Sequence, residues 1–265
     1  MTGLVHRGLA GQVVEMLREQ ILTGVLPPGT RLNEVEIARD LGISRGPLRE
    51  AIGQLVSDGL LVHVPNKGAA VFAARPEDVA ALFELRAALE CAAARMAAQR
   101  RRPQEVTRLR KVCERSRKAR EAGRKLLYDL DLDFHRALME AAHSPRIAEQ
   151  VWLVQQQVIV LRSGLTSRTS HTETSLADHE AMAEAVAAGD ADLAASLMEA
   201  HLGLVETQLL HSMQSEQSQQ SEQSQQSEQS GAGREGPSSL RTPEARPTER
   251  TGPTERNETT ERTAP

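Results

Sequence analysis

Apolar residues form one stripe at Val13, Leu17 and Ile21, and this four-residue spacing predicts a helix over about Leu9 to Thr23. Gly24 closes it, and Pro27-Pro28-Gly29 makes the connection. Asn33, with Glu36 three residues on, resembles a capping box and opens a second helix whose inner face is Ile37, Ala38 and Leu41. Gly42 supplies a tight turn and Ile43 tucks beneath it. Ser44 is the expected cap of a third helix, with Leu48, Ile52 and Leu55 inward and Gly59 at its end. The pattern then changes period. Leu60 to Val64 and Ala69 to Phe72 are short apolar runs around Pro65-Asn66-Lys67-Gly68, the signature of a β-hairpin.

Arg75-Pro76-Glu77 reads as a linker. Beyond it, residues 78–213 are rich in alanine and leucine at helical spacing, and six helices are expected: about 78–99, 104–121, 124–142, 145–163, 174–188 and 191–212. Ser144-Pro145 offers an N-cap with proline at the first helical position. The runs Val151 to Val154 and Val158 to Leu161 are apolar on more than one side, as in a central helix of a bundle. From Gln214 the chain is a six-residue repeat, SEQSQQ, followed by a Pro/Thr/Glu/Arg stretch. So little apolar surface cannot offset chain entropy, and residues 214–265 are expected to be disordered. The fold class is mainly α: an N-terminal winged helix-turn-helix over 1–74, then an antiparallel all-α bundle.

Composition sharpens this picture by exclusion. The 265 residues carry 32 Lys and Arg against 36 Asp and Glu, a net charge of −4, so any DNA contact must come from a local patch. Residues 1–74 hold seven of each sign, so that patch must be polarised. Cys91 and Cys113 are too few for a disulfide framework or a thiolate metal site and read as packed thiols. No apolar run long enough to span a membrane and no signal-like segment is present, so a soluble cytoplasmic protein is expected. Aromatics at 2% argue against a stacking platform for single strands.

In a winged helix, the first turn of the third helix enters the major groove. Arg45 and Arg49 lie one turn apart on this helix, and an arginine fork can hold guanine O6 and N7 together. Lys67 and Gly68 sit at the wing tip, suited to phosphate or the minor groove. The candidate DNA-contacting set is Arg31, Arg39, Ser44, Arg45, Gly46, Arg49, Lys67 and Gly68.

The run LNEVEIARDLGISRGPLREAIGQLVSDGLL followed by PNKGAAVF resembles the N-terminal domain of the GntR family of bacterial regulators over about residues 8–74. Gly46 departs from it, standing where that family often has a threonine that touches the DNA backbone. The segments LFELRAALE, DLDFHRALMEAAHSPRI, DHEAMAEAVAAGD and MEAH resemble the all-helical FCD effector domain of the FadR subfamily. Six helices place the chain near the VanR-like branch. The resemblance implies a homodimer that binds a palindromic double-stranded operator, holds a metal ion and senses a small carboxylate.

The residues themselves support the metal. Asp131 and His135 are four apart on one helical face, beside the stripe Leu127, Phe134 and Leu138. Asp133 points about 200° away from Asp131 on that helix and is rejected. His179 and His201 each lie between apolar positions, eleven residues before and after Asp190, so antiparallel packing sets them at one level. One carboxylate and three imidazoles suit Zn²⁺, with Ni²⁺ or Mn²⁺ possible. Arg86 sits on a core stripe with Leu82, Phe83 and Leu89 and must find an anion there, either Glu90 or an effector carboxylate, and the resemblance favours the second, making Arg86 the expected effector-binding residue. The rival function is a metal-dependent hydrolase of small acids with an accessory DNA-binding head. His179-Glu180 starts like HExxH, but position 183 is alanine, so that motif fails.

Overall fold

The computed structural model describes residues 8–65, 67–122, 128–165 and 172–232. The head opens with α1 (Leu9–Leu22), β1 (Arg31–Leu32), α2 (Glu34–Asp40) and α3 (Arg45–Ser57), then β2 (Leu61–Val64) and β3 (Gly68–Val71). The expected hairpin pairs Leu61 with Val71 and Val64 with Gly68. It gains a strand that the pattern did not predict, because β1 pairs Arg31 with Ala70 and Leu32 with Ala69. Two residues are too few to show alternation. The three-stranded sheet runs in the order β1-β3-β2.

Capping follows the expectation at one helix and departs from it at the next. The Asn33 side chain accepts from the N–H groups of Val35 and Glu36 and so caps α2. Ser44 stands at the N-cap of α3 in extended backbone, but its hydroxyl makes no cap hydrogen bond. The α3 helix is held by burial instead: Leu48, Ala51, Ile52 and Leu55 pack with Leu17 and Ile21 of α1 in one core.

The second domain holds α4 (Pro76–Arg100), α5 (Pro103–Glu121), α6 (Tyr128–Ala141), α7 (Pro145–Ser163), α8 (Thr172–Ala188) and α9 (Ala191–Ala232). Two expectations are corrected here. The residues read as a linker begin a helix: Arg75 is the N-cap of α4, and its N–H donates to the Asp78 carboxylate at 2.8 Å. Helix α9 passes the expected boundary at Gln214 and continues to Ala232. The repeat is polar, but Gln and Glu are good helix formers, and extending an existing helix carries no nucleation cost. Asn66, Leu127, the expected helix start at 124 and the tail beyond 232 lie outside the described residues. Among the described residues, no helix is long and apolar enough to cross a membrane.

The bundle core gathers Phe83, Phe134, Leu138, Met182, Met198 and Leu202. Helix α7 serves two cores. Its Val151, Val158 and Leu161 join the bundle, while Val160 joins the core of the head. That division is why its sequence is apolar on more than one side.

Candidate DNA-reading surface and metal centre

The inward face of α3 decides what its outward face offers. With Leu48 and Ile52 anchored, Arg45 and Arg49 remain exposed beside the buried stripe. Arg49 is 62% exposed, and its Nε–H donates to Glu34 at 2.8 Å, which holds it over the start of α2. Arg39 pairs with its neighbour Asp40 at 3.0 Å. Arg31, Lys67 and Gly68 are also exposed, and Gly68 turns the wing at φ +80°. Nothing in the fold requires glycine at position 46. A Cβ there would meet only the Ser44 hydroxyl, at 3.9 Å.

The second cluster joins three buried histidines to a half-buried aspartate. Asp131 and His135 from α6, His179 from α8 and His201 from α9 offer ligand atoms that all lie within 4.8 Å of one another. The imidazole rings of His179 and His201 are 4.9 Å apart, as equal spacing about the α8–α9 turn requires. Nε2 of His179 is 3.6 Å from Asp131 Oδ1, and Nε2 of His135 is 3.9 Å from Asp131 Oδ2. Both Nε2 atoms are buried without a hydrogen-bond partner. Two orphaned imidazole nitrogens facing one carboxylate are too far apart for mutual hydrogen bonds and well placed to share an ion. Asp133 instead pairs with Arg115 at 3.1 Å.

Each ligand is steadied from behind. Glu90 comes within 2.6 Å of His135 Nδ1. Asp178 lies 3.3 Å from His201 Nδ1. The Ser175 hydroxyl donates to Asp131 Oδ1 at 2.8 Å, and Phe134 stacks on His179 with ring centres 4.0 Å apart. Carboxylates behind the far nitrogens of ligating imidazoles fix ring orientation and raise basicity. Glu90, Asp178 and Ser175 were missed as supports, because contacts between helices leave no local pattern. The Arg86 Nε–H donates to Glu90 at 2.7 Å, with both side chains buried, which is one of the two partners expected for it.

Protonation states suit cation binding. Burial works to raise the Asp131 pKa, but the imidazoles and Arg162 outweigh it and hold the carboxyl well below its usual range. Burial pushes His179 well below its ordinary value, against the pull of Asp131. His201 is lowered by burial and by His135. An ionised carboxylate beside neutral imidazoles is the state a metal requires. For Glu90, burial is overcome by Arg86 and His135, which hold its pKa down to about 2. Burial pushes the Cys91 and Cys113 thiols up to about 11, so neither is a ready thiolate.

Comparison with known proteins matches both domains. Residues 9–71 match the model of bacterial regulatory proteins of the gntR family, and residues 81–204 match that of the FCD domain. The chain is 34% identical over 131 residues to the Nta operon transcriptional regulator of Aminobacter aminovorans, covering 49% of this chain and 62% of that protein. It is 29% identical to the transcriptional repressor RspR of Escherichia coli over 72% of this chain and 84% of the relative. A crystal structure from Rhodococcus sp. RHA1, described as a GntR transcriptional regulator, superposes with a TM-score of 0.64 at 26% identity, covering 76% of this chain and 97% of that one. An exposed arginine pair on a buried helix, a wing beside it and a helical domain of FCD type join in one chain, which belongs to the GntR family of bacterial transcription regulators, FCD subfamily.

Proposed function

We propose that this regulator is a repressor that binds a palindromic operator as a homodimer and is modulated by a small organic acid at a divalent-metal site. Arg45 and Arg49 read base edges in this account, while Arg31, Arg39, Ser44, Gly46, Lys67 and Gly68 meet the backbone. Two heads related by a two-fold axis read the two half-sites.

Asp131, His135, His179 and His201 would hold the ion, most suitably Zn²⁺, with Ni²⁺ or Mn²⁺ possible. Bound there, the ion supplies a Lewis-acidic anchor for an effector carboxylate. The single observation that carries this reading is the pair of buried, orphaned Nε2 atoms on His135 and His179 facing Asp131. Arg86 contributes positive charge to the site, where it acts on His201, while engaged with Glu90.

The test is release of an operator duplex, taken from upstream of the protein's own gene, by a panel of organic acids. At least one acid is expected to weaken binding in the metal-loaded wild type and to do nothing in Asp131→Asn. A panel without effect on the wild type, or with equal effect on the variant, contradicts the reading.

A further inference from the structure

The head is fastened to the bundle at a definite place. Arg18 of α1 points both ways: one guanidinium nitrogen donates to Asp58 at 2.7 Å, the other to Gln156 Oε1 at 2.6 Å. Asp58 is the C-cap of the recognition helix α3, and Gln156 is a fully buried residue of α7. Arg18 is only 16% exposed and Asp58 10%, so water does little to screen the clamp. Gln54 adds a second hold, donating to Asp58 at 2.8 Å.

Other residues on the same face of α7 complete the joint. Val160, one turn beyond Gln156, is buried in the head's own core with Leu17 and Ile21. Gln157 packs so closely on Gly59 that a Cβ there would fall 1.7 Å from its Nε2. At the end of α7, Gly164 meets Pro28 and Ser163 faces Gly24. The opposite face of the helix, with Val158 and Leu161, belongs to the bundle. Arg162, two residues past Val160, is one of the positive charges felt by Asp131.

We propose that α7 transmits the state of the bundle to the recognition helix, with Arg18 as the positioning residue that couples them. A shift of α7 then moves both ends of the joint. The Val160 contact and the Arg18 clamp drag α1 and the C-terminal end of α3, and so re-aim Arg45 and Arg49. This inference rests on the metal reading only for the signal that enters the bundle.

Hydrogen–deuterium exchange on the full chain tests it, with Zn²⁺ added to chelator-treated protein and binding followed by calorimetry on the same samples. In the wild type, Zn²⁺ is expected to slow exchange around residues 134–142 and 176–186, and also in α1 and residues 54–59, by about threefold or more. Gln156→Leu removes the acceptor for Arg18. It should keep the response at the cluster and lose the response in the head. Gln156→Glu keeps an acceptor and should restore the head response, which a merely structural role for Gln156 does not predict. A head response that survives Gln156→Leu overturns the proposal, and so does a wild type whose cluster responds while its head does not. If calorimetry shows no Zn²⁺ binding to the wild type, the metal reading fails instead. The clamp is then judged by Gln156→Leu alone: faster exchange in α1 with the bundle unchanged upholds it, and no change in α1 overturns it.

Discussion

At the scale of the residue, burial decides what the candidate site does. His179 and His201 are both held below the ordinary histidine pKa of about 6.5 by burial. The metal-free folded protein therefore binds fewer protons than the unfolded chain. Its stability is complete above about pH 6.5 and declines as pH falls below that value, where the unfolded histidines gain protons. Thermal melts of chelated protein should show a lower Tm at pH 5.5 than at pH 7.5, and His179→Leu should flatten that dependence. A Tm that holds or rises on acidification contradicts the buried neutral state. Arg86 offers a second residue-scale test. It and Glu90 are 3% and 0% exposed, so Arg86→Ala strands a buried carboxylate. Denaturant unfolding without any ligand should show a loss of about 3–5 kcal/mol. A loss under about 1 kcal/mol would assign Arg86 to a ligand rather than to the fold.

At the scale of the element, the recognition helix separates stability from function. Ser44 makes no cap hydrogen bond, so Ser44→Ala should leave the unfolding free energy unchanged, where a capping serine costs about 1 kcal/mol. The same variant should weaken operator binding if Ser44 meets a phosphate. Arg49→Ala should lower specific operator affinity by about tenfold to a hundredfold while circular dichroism stays the same. An unchanged footprint removes α3 from its role as the reading helix. Local spacing made these elements legible: the α1 stripe, the Asn33 cap and the two apolar runs of the hairpin each recur at a period that only one structure satisfies. The three histidines and Asp131 were legible for a related reason, since helical period and equal distance from a turn fix their heights. Arg18 had no such signal, because its partners lie 40 and 138 positions away. The double role of α7 was half visible. Its apolar residues on two sides were read as a bundle centre, whereas one of those sides belongs to the head.

At the scale of the whole molecule, the two domains share a helix and the histidine–aspartate cluster lies in the domain that does not read DNA. Such an arrangement controls DNA binding only through a difference in the ligand's affinity for two states. Metal binding should also stabilise the fold: Zn²⁺ at a hundred times its Kd should add about 2.7 kcal/mol to unfolding, and His201→Ala should abolish the gain. The claim on which the rest depends is that Asp131, His135, His179 and His201 hold an ion. Elemental analysis of the full-length protein, purified without added metal or chelator, tests it directly. The account predicts about one divalent transition metal ion per chain, with Zn²⁺ foremost, and a fall to background in His179→Ala. A wild type without metal, or a variant that keeps it, would contradict the account.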